Sequence, residues 1–242
     1  IGRTASHSVT IMGVLIAFLI SLHVLAEVIG GASYNGTLYT WMTVAGVKLD
    51  IGFLIDSLTA MMMCVVTFVS LMVHIYTIGY MHDEETGYQR FFSYISLFTF
   101  SMLMLVMADN LLTLFIFWEA VGLCSYFLIG YYYTRRSAVN AAKKAFIVNR
   151  VGDFGFIIGL MILWTSFGTF SFDDKHEVVG NVNRVTPGLF SMARGQNGEL
   201  AKSADGKTVI LKTEQDGHGH WEAPVEPSHQ KTITYTLLIV AG

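Results

Sequence analysis

The sequence predicts an all-α polytopic membrane protein. It has about five complete transmembrane helices, the start of a sixth, a short surface β-hairpin and a polar extramembrane insertion. Three observations lead there. The 242-residue chain is 53% hydrophobic and only 14% charged, with mean hydropathy +0.52, well above the apolar share of a soluble domain. Its apolar residues come in blocks of about 20, the length that crosses a bilayer. When those blocks alternate across a membrane, Arg3, Arg90, Arg135, Arg136, Lys143 and Lys144 fall on one side and Lys48 and Lys175 on the other. The first side is therefore cytoplasmic, or its organelle equivalent, and the insertion lies opposite.

The first span is Ser8 to Gly30. His23 and Glu27 lie four apart near its far end and share a face, which reads as an interfacial pair. In the connection that follows, Tyr39 to Val44 and Val47 to Phe53 alternate polar and apolar residues around Ala45-Gly46, the pattern of a hairpin on the membrane surface. The second span is Asp56 to Met81, with Asp56 placed as a helix N-cap. His74 is eighteen residues on, five full turns, so it shares the face of Asp56. It reads either as a packing residue or as a member of a proton path.

His82 to Arg90 is a charged loop, read as a solvated turn. Phe91 to Ala108 is a third span without charge, closed by a tight turn at Asp109-Asn110. Leu111 to Tyr133 is the fourth, ending in Tyr131, Tyr132 and Tyr133 as an aromatic belt at headgroup level. Ala141 to Phe167 is the fifth, and its Lys143 and Lys144 can snorkel to the interface. The domain reading is a helical bundle over 1–170, an insertion over 171–231 and a cut-off span over 232–242. The insertion is polar, holds all three prolines and has few aliphatic runs, so it is expected to be partly disordered, with a small hairpin near Lys207 to Leu211. His218-Gly219-His220 is read as solvated loop, because two histidines at this spacing are a weak metal signal. The chain begins without Met and stops inside an apolar run at Gly242, as a piece of a longer protein does.

The chemistry centres on the fourth and fifth spans. Glu119 sits well inside an apolar run, where a charge costs about 2.5–3.5 kcal/mol on insertion scales. A carboxylate that persists at such depth points to function. The bland alternative is that polar residues glue helices together. On the fifth span Lys143, Arg150 and Asp153 fall within about a third of the helix circumference. An Arg–Asp pair there suits a charge or proton path, and equally a structural ion pair. Cys64 and Cys124 both lie in spans and read as packing residues. No basic patch with aromatics suggests nucleic acid, and no dinucleotide fingerprint, phosphate loop, haem or iron–sulfur ligand set is present.

Several runs resemble a known family. These are Gly87-Tyr88-Gln89-Arg90-Phe91-Phe92-Ser93-Tyr94, Ala108-Asp109-Asn110-Leu111-Leu112, Trp118 through Gly130 (WEAVGLCSYFLIG), Lys144-Ala145-Phe146 and Asn149-Arg150-Val151-Gly152-Asp153. They are similar to the antiporter-like subunit L of bacterial respiratory complex I and its mitochondrial counterpart, NADH dehydrogenase subunit five. The resemblance runs from the first span to Phe172 and resumes at the last apolar segment; no motif covers the insertion.

The resemblance implies a membrane-arm subunit that moves protons while other subunits pass electrons from NADH to quinone. It makes Glu119 the key carboxylate of the input half-channel, with Arg150 and Asp153 as polar neighbours; Lys144 and His74 complete the expected proton path. NAD, FMN, iron–sulfur clusters and quinone are then expected in other subunits and none in this chain. The implied partners are the other membrane-arm subunits, the lipid bilayer and protons, and the implied location is a bacterial inner membrane. The family also uses lysines on later helices and a broken helix beyond Gly242, so this chain by itself is not expected to conduct protons. Two other readings share the sequence: the large subunit of a multisubunit cation/proton antiporter, and a structural membrane-arm subunit without transport.

Overall fold

A computed structural model describes residues 2–44, 47–84, 87–179, 182–186, 188–190, 214–215 and 221–222. Among these, α1 (Arg3–Ile29), α2 (Ser57–Tyr80), α3 (Tyr88–Val106), α4 (Leu111–Ile129) and α5 (Arg136–Phe167) are all long and apolar enough to cross a membrane. β1 (Tyr34–Val44) and β2 (Val47–Ile55) form an antiparallel hairpin, and β3 (Lys175–Val179) and β4 (Val182–Thr186) a second. The chain divides into two compact units, residues 1–108 with 113–151, and residues 109–112 with 152–242.

In the first unit α1, α2 and α3 pack against one another. Val9, Ile16 and Leu19 of α1 and Leu58, Val65 and Phe68 of α2 stay exposed. Large apolar side chains turned outward along whole helices are what a hydrocarbon surround accepts and water does not. α2 starts where Asp56 accepts a hydrogen bond from the Thr59 amide at 2.7 Å, as its N-cap position predicted. The β1–β2 hairpin is longer at both outer ends than its alternation suggested, because two register shifts, at Thr37/Tyr39 and Thr40/Met42, interrupt the two-residue period. It is tied to the end of α3 by the Leu54 amide donating to the Met107 carbonyl at 3.0 Å and by a Phe53–Ala108 bridge.

Several spans have other limits than expected. α1 begins at Arg3, five residues before Ser8, and α5 begins at Arg136, five before Ala141; polar residues at the membrane surface extend a helix as well as apolar ones do. α4 ends at Ile129, so Tyr131, Tyr132 and Tyr133 follow the helix instead of closing it. Tyr131 is buried in a cluster with Met81, Tyr88 and Phe92, while Tyr133 is exposed.

In the second unit, Asp109-Asn110 is more than a tight turn. Phe172 donates its amide to the Asp109 carbonyl at 3.1 Å, Leu111 donates to Phe170 at 3.0 Å, and Asn110 bridges Ser171. Leu189 and Phe190 extend the array by donating to Ser171 and Phe172, both at 2.9 Å. Gly188 lies so close to this strand that a Cβ would sit 2.3 Å from the Asp173 carbonyl carbon. The opening of the polar segment is thus ordered backbone pairing, and β3–β4 is a hairpin that the polar composition of the insertion as a whole had concealed, although its strands carry Val178, Val179, Val182 and Val185. Lys207 to Leu211, His218-Gly219-His220 and the apolar run over 232–242 lie outside the described residues.

Candidate proton-path site

α4 and the first half of α5 run antiparallel in a regular register. From one end of the contact to the other, Gly130 faces Ala142, Tyr126 meets Phe146 at 5.5 Å between ring centroids, Gly122 faces Asn149, and Glu119 forms an ion pair with Arg150. Glycine eases the tighter of two of these approaches, at Gly130, whereas at Gly122 a Cβ would make an ordinary contact. A Cβ on Gly130 would lie 3.3 Å from the Ala142 methyl, and one on Gly122 3.6 Å from Asn149 Nδ2. The Glu119 side chain is 18% exposed and that of Arg150 41%, so the carboxylate is the more enclosed partner. The Arg150 guanidinium also lies over the Phe146 ring at 4.7 Å, which fixes the cation from its other face. A carboxylate and a guanidinium held this way can exchange one stable ionic state for another when the acid takes up a proton.

Of the five residues expected to line a proton path, the structure brings Glu119 and Arg150 together. Asp153 is buried, in the second unit. Lys144 is exposed on α5, six residues before Arg150 and so about a third of a turn round from it. His74 is fully buried on α2, and Asp56, on the same face, is exposed at the other end of that helix.

His74 has partners that its sequence position did not announce. Its Nδ1 lies 2.8 Å from the Ser70 carbonyl, which can only accept, so Nδ1 carries the proton. In the neutral ring Nε2 then accepts from Ser96 Oγ at 3.2 Å. Ser70 Oγ meets Thr99 Oγ1 at 2.6 Å. Imidazole and three hydroxyls therefore form one cluster between α2 and α3. The recoverable signal was the four-residue step from Ser70 to His74 and the small polar residues at Ser96 and Thr99 on the neighbouring apolar span. His23 and Glu27 are both exposed on α1.

The end of the first unit where α1 and α3 begin also carries charge. Arg3 donates to the carbonyls of His82 and Glu84, and its guanidinium lies 5.4 Å from the Tyr88 ring. Tyr132 donates to Glu84 Oε1 at 2.9 Å; that hydrogen bond first, and burial second, raise the Tyr132 pKa above the ordinary phenol value. Burial also raises the Tyr131 pKa, against the opposing pull of Arg90. The loop read as a solvated turn is thus tied down at Glu84. Arg3, Arg90 and Arg135 gather at this end, as the alternation of spans requires.

Two family models match the chain. The model for NADH-Ubiquinone oxidoreductase (complex I), chain 5 N-terminus, matches residues 41–92, and the model for NADH:quinone oxidoreductase/Mrp antiporter, TM, matches residues 108–196. The second match holds both Glu119 and Arg150 and continues past Phe172, where recognisable motifs stop. NADH-quinone oxidoreductase subunit L of Neisseria meningitidis serogroup B is 55% identical over 193 residues, 78% of this chain and 29% of that protein. The chloroplastic NAD(P)H-quinone oxidoreductase subunit 5 of Piper cenocladum is 44% identical over 201 residues, 81% of this chain and 27% of that protein. The chain thus spans less than a third of the length of these curated relatives.

Among solved structures, a chain of the archaeal membrane-bound sulfane sulfur reductase superposes with TM-score 0.59 at 17% identity, over 69% of this chain and 33% of that one. A chain of the Mrp complex from Dietzia sp. DQ12-45-1b gives 0.59 at 18% identity, over 70% and 31%. These two support the fold alone. Five helices among the described residues that are long and apolar enough to cross a membrane, and matches of one kind along most of its length, make this chain a member of the antiporter-like subunit L/chain 5 family of NADH:quinone oxidoreductases.

Proposed function

We propose that this chain belongs to the membrane arm of a proton-translocating NADH:quinone oxidoreductase and carries the entry carboxylate of one proton channel. The observation that carries the reading is the Glu119–Arg150 ion pair between α4 and α5. With Arg150 in contact, Glu119 is held as a carboxylate; when the contact loosens, the acid at bilayer depth takes up a proton. Alternation between the two states moves a proton without any redox group in this chain. Asp153, Lys144 and His74 are proposed as further members of the path. The Ser70–His74–Ser96 hydrogen bonds support His74, since an imidazole with one donating and one accepting nitrogen can pass a proton along. Oxidation of NADH and reduction of quinone, with the flavin and iron–sulfur centres they need, are assigned to other subunits, and the location to a bacterial inner membrane.

The family description that covers residues 108–196 also names Mrp antiporters, which supports a second reading as the large subunit of a cation/proton antiporter. Affinity purification of the full-length protein from native membranes separates the two. Co-purification of flavin and iron–sulfur subunits with NADH-dependent quinone reduction is expected. A preparation without them that exchanges sodium for protons would replace the first reading by the second.

A further inference from the structure

Two histidines of the first unit are separated by one phenylalanine. His7, in the second turn of α1, is half-buried at the end of the unit where Arg3 lies over the Tyr88 ring. Its Nδ1 is 3.0 Å from Tyr88 Oη. His74 on α2 is fully buried, with Nε2 on Ser96 Oγ. Phe92 touches both histidines, its ring centroid 6.2 Å from that of His7 and 6.1 Å from that of His74. The Phe92 side chain is itself wholly enclosed, 4.9 Å from the Tyr88 ring.

The order of these groups is fixed by α3. Tyr88, Phe92, Ser96 and Thr99 follow at steps of four, four and three residues, so they form one stripe along that helix. Tyr88 and Ser96 are about 12 Å apart along the axis, at about 1.5 Å per residue. Tyr88 thus holds His7 at an outer level, Ser96 holds His74 at an inner level, and Phe92 fills the level between. Among the described residues no hydrogen bond joins the His7–Tyr88 pair to the His74 cluster. Imidazole and hydroxyl groups donate and accept protons, whereas the Phe92 ring does neither. On the inner side, Ser70 Oγ is 3.3 Å from His74 Nδ1 and 2.6 Å from Thr99 Oγ1. Ser70 and Thr99 also stand on the wall of a cleft of about 790 Å³ between α2 and α3, so the inner end is not sealed.

We propose that these residues form a second proton entrance at the arginine-bearing end, with Phe92 as its gate. It rests on the proton-translocating reading above and adds a route into the helices apart from Glu119. With the Phe92 ring in place the two levels are disconnected. When the ring swings aside, water spans the gap. Ser96 then gives its hydroxyl proton to His74 Nε2 and takes one from that water. His74 releases its Nδ1 proton to Ser70 Oγ, which passes its own to Thr99. One proton enters and one leaves at each group, so the imidazole is neutral before and after.

The test is proton movement in inverted membrane vesicles carrying the full-length protein in its assembled complex. In vesicles at rest, Phe92→Leu should leak protons severalfold faster than wild type after an acid pulse. The leak should vanish when His74→Leu is added, whereas a hole made only by lost packing would leak with or without the imidazole. With NADH supplied, Tyr88→Phe and His7→Gln should each lower the protons translocated severalfold. A Phe92→Leu leak equal to wild type, or one that persists without His74, would overturn the proposal. So would translocation equal to wild type in either Tyr88→Phe or His7→Gln, two mild changes that decide the matter even where Phe92→Leu does not insert. Those results leave the Glu119 reading standing, which falls only if Glu119→Gln pumps as wild type does.

Discussion

Glu119 on α4 and Arg150 on α5 form an ion pair across two antiparallel helices, and the cation is backed by the Phe146 ring. The acid is the more enclosed member, which sets the consequences of removing either partner.

Glu119→Gln and Arg150→Gln should each destabilise the protein. A buried pair that loses one partner costs about 3–5 kcal/mol, and a loss of up to that order is expected here, since the pair joins two spans where its exposed part does not face bulk water. The double variant should lose less than the sum of the two. Thermal unfolding in detergent gives the double-mutant cycle, and strict additivity would mean that the pair contributes no coupling.

Gly122 faces Asn149 between the same two helices. Its Cβ position is 3.6 Å from Asn149 Nδ2, an ordinary contact, so Gly122→Ala should be accepted with little change. Gly122→Leu should force α4 and α5 apart at a cost of about 1–3 kcal/mol. Unfolding midpoints of the two variants check this, and equal midpoints would show that the helices are not in contact there.

The Tyr132–Glu84 hydrogen bond makes stability depend on pH. Because folding raises the Tyr132 pKa, the folded chain holds the phenolic proton more tightly than the unfolded chain does. The contribution is present below the unfolded tyrosine value, about 10, and is lost as pH rises through the folded value. Unfolding measured from about pH 8 to about pH 11 should show a downward slope at the alkaline end that is shallower in Tyr132→Phe. Identical slopes would remove the hydrogen bond from the account.

Asp56→Ala removes the acceptor that caps α2 and should cost about 0.5–2 kcal/mol. Asp56→Asn, which keeps an acceptor oxygen, should restore most of it. Urea unfolding of the three proteins is sufficient; an alanine variant as stable as wild type would mean that the cap is idle.

The helices were legible because bilayer length and apolar composition constrain a sequence strongly. Asp56 was legible as a cap, and Glu119 and Arg150 were legible as polar groups where lipid tolerates few. The pairing of Glu119 with Arg150 was not. Spacing along one helix orders residues on that helix, whereas the contact depends on the register of α4 against α5, which glycine and aromatic packing set. The Ser70–His74–Ser96–Thr99 cluster stayed hidden for the same reason, since its hydrogen bonds run between α2 and α3. The strand pairing of 109–111 with 170–172 escaped because backbone donors and acceptors pair whatever the side chains are, so neither short segment carries a periodic signal. Tyr131 misled in another way. A Tyr-Tyr-Tyr run after a span looks like a belt, yet Gly130 ends α4 and the first tyrosine turns inward to Arg90.

The central claim is that a proton passes through Glu119. Membrane vesicles carrying the full-length protein with Glu119→Gln, compared with wild type at equal membrane content, measure it directly through NADH-driven acidification. A severalfold loss of translocated protons with the protein still inserted is the predicted result; translocation equal to wild type would contradict it.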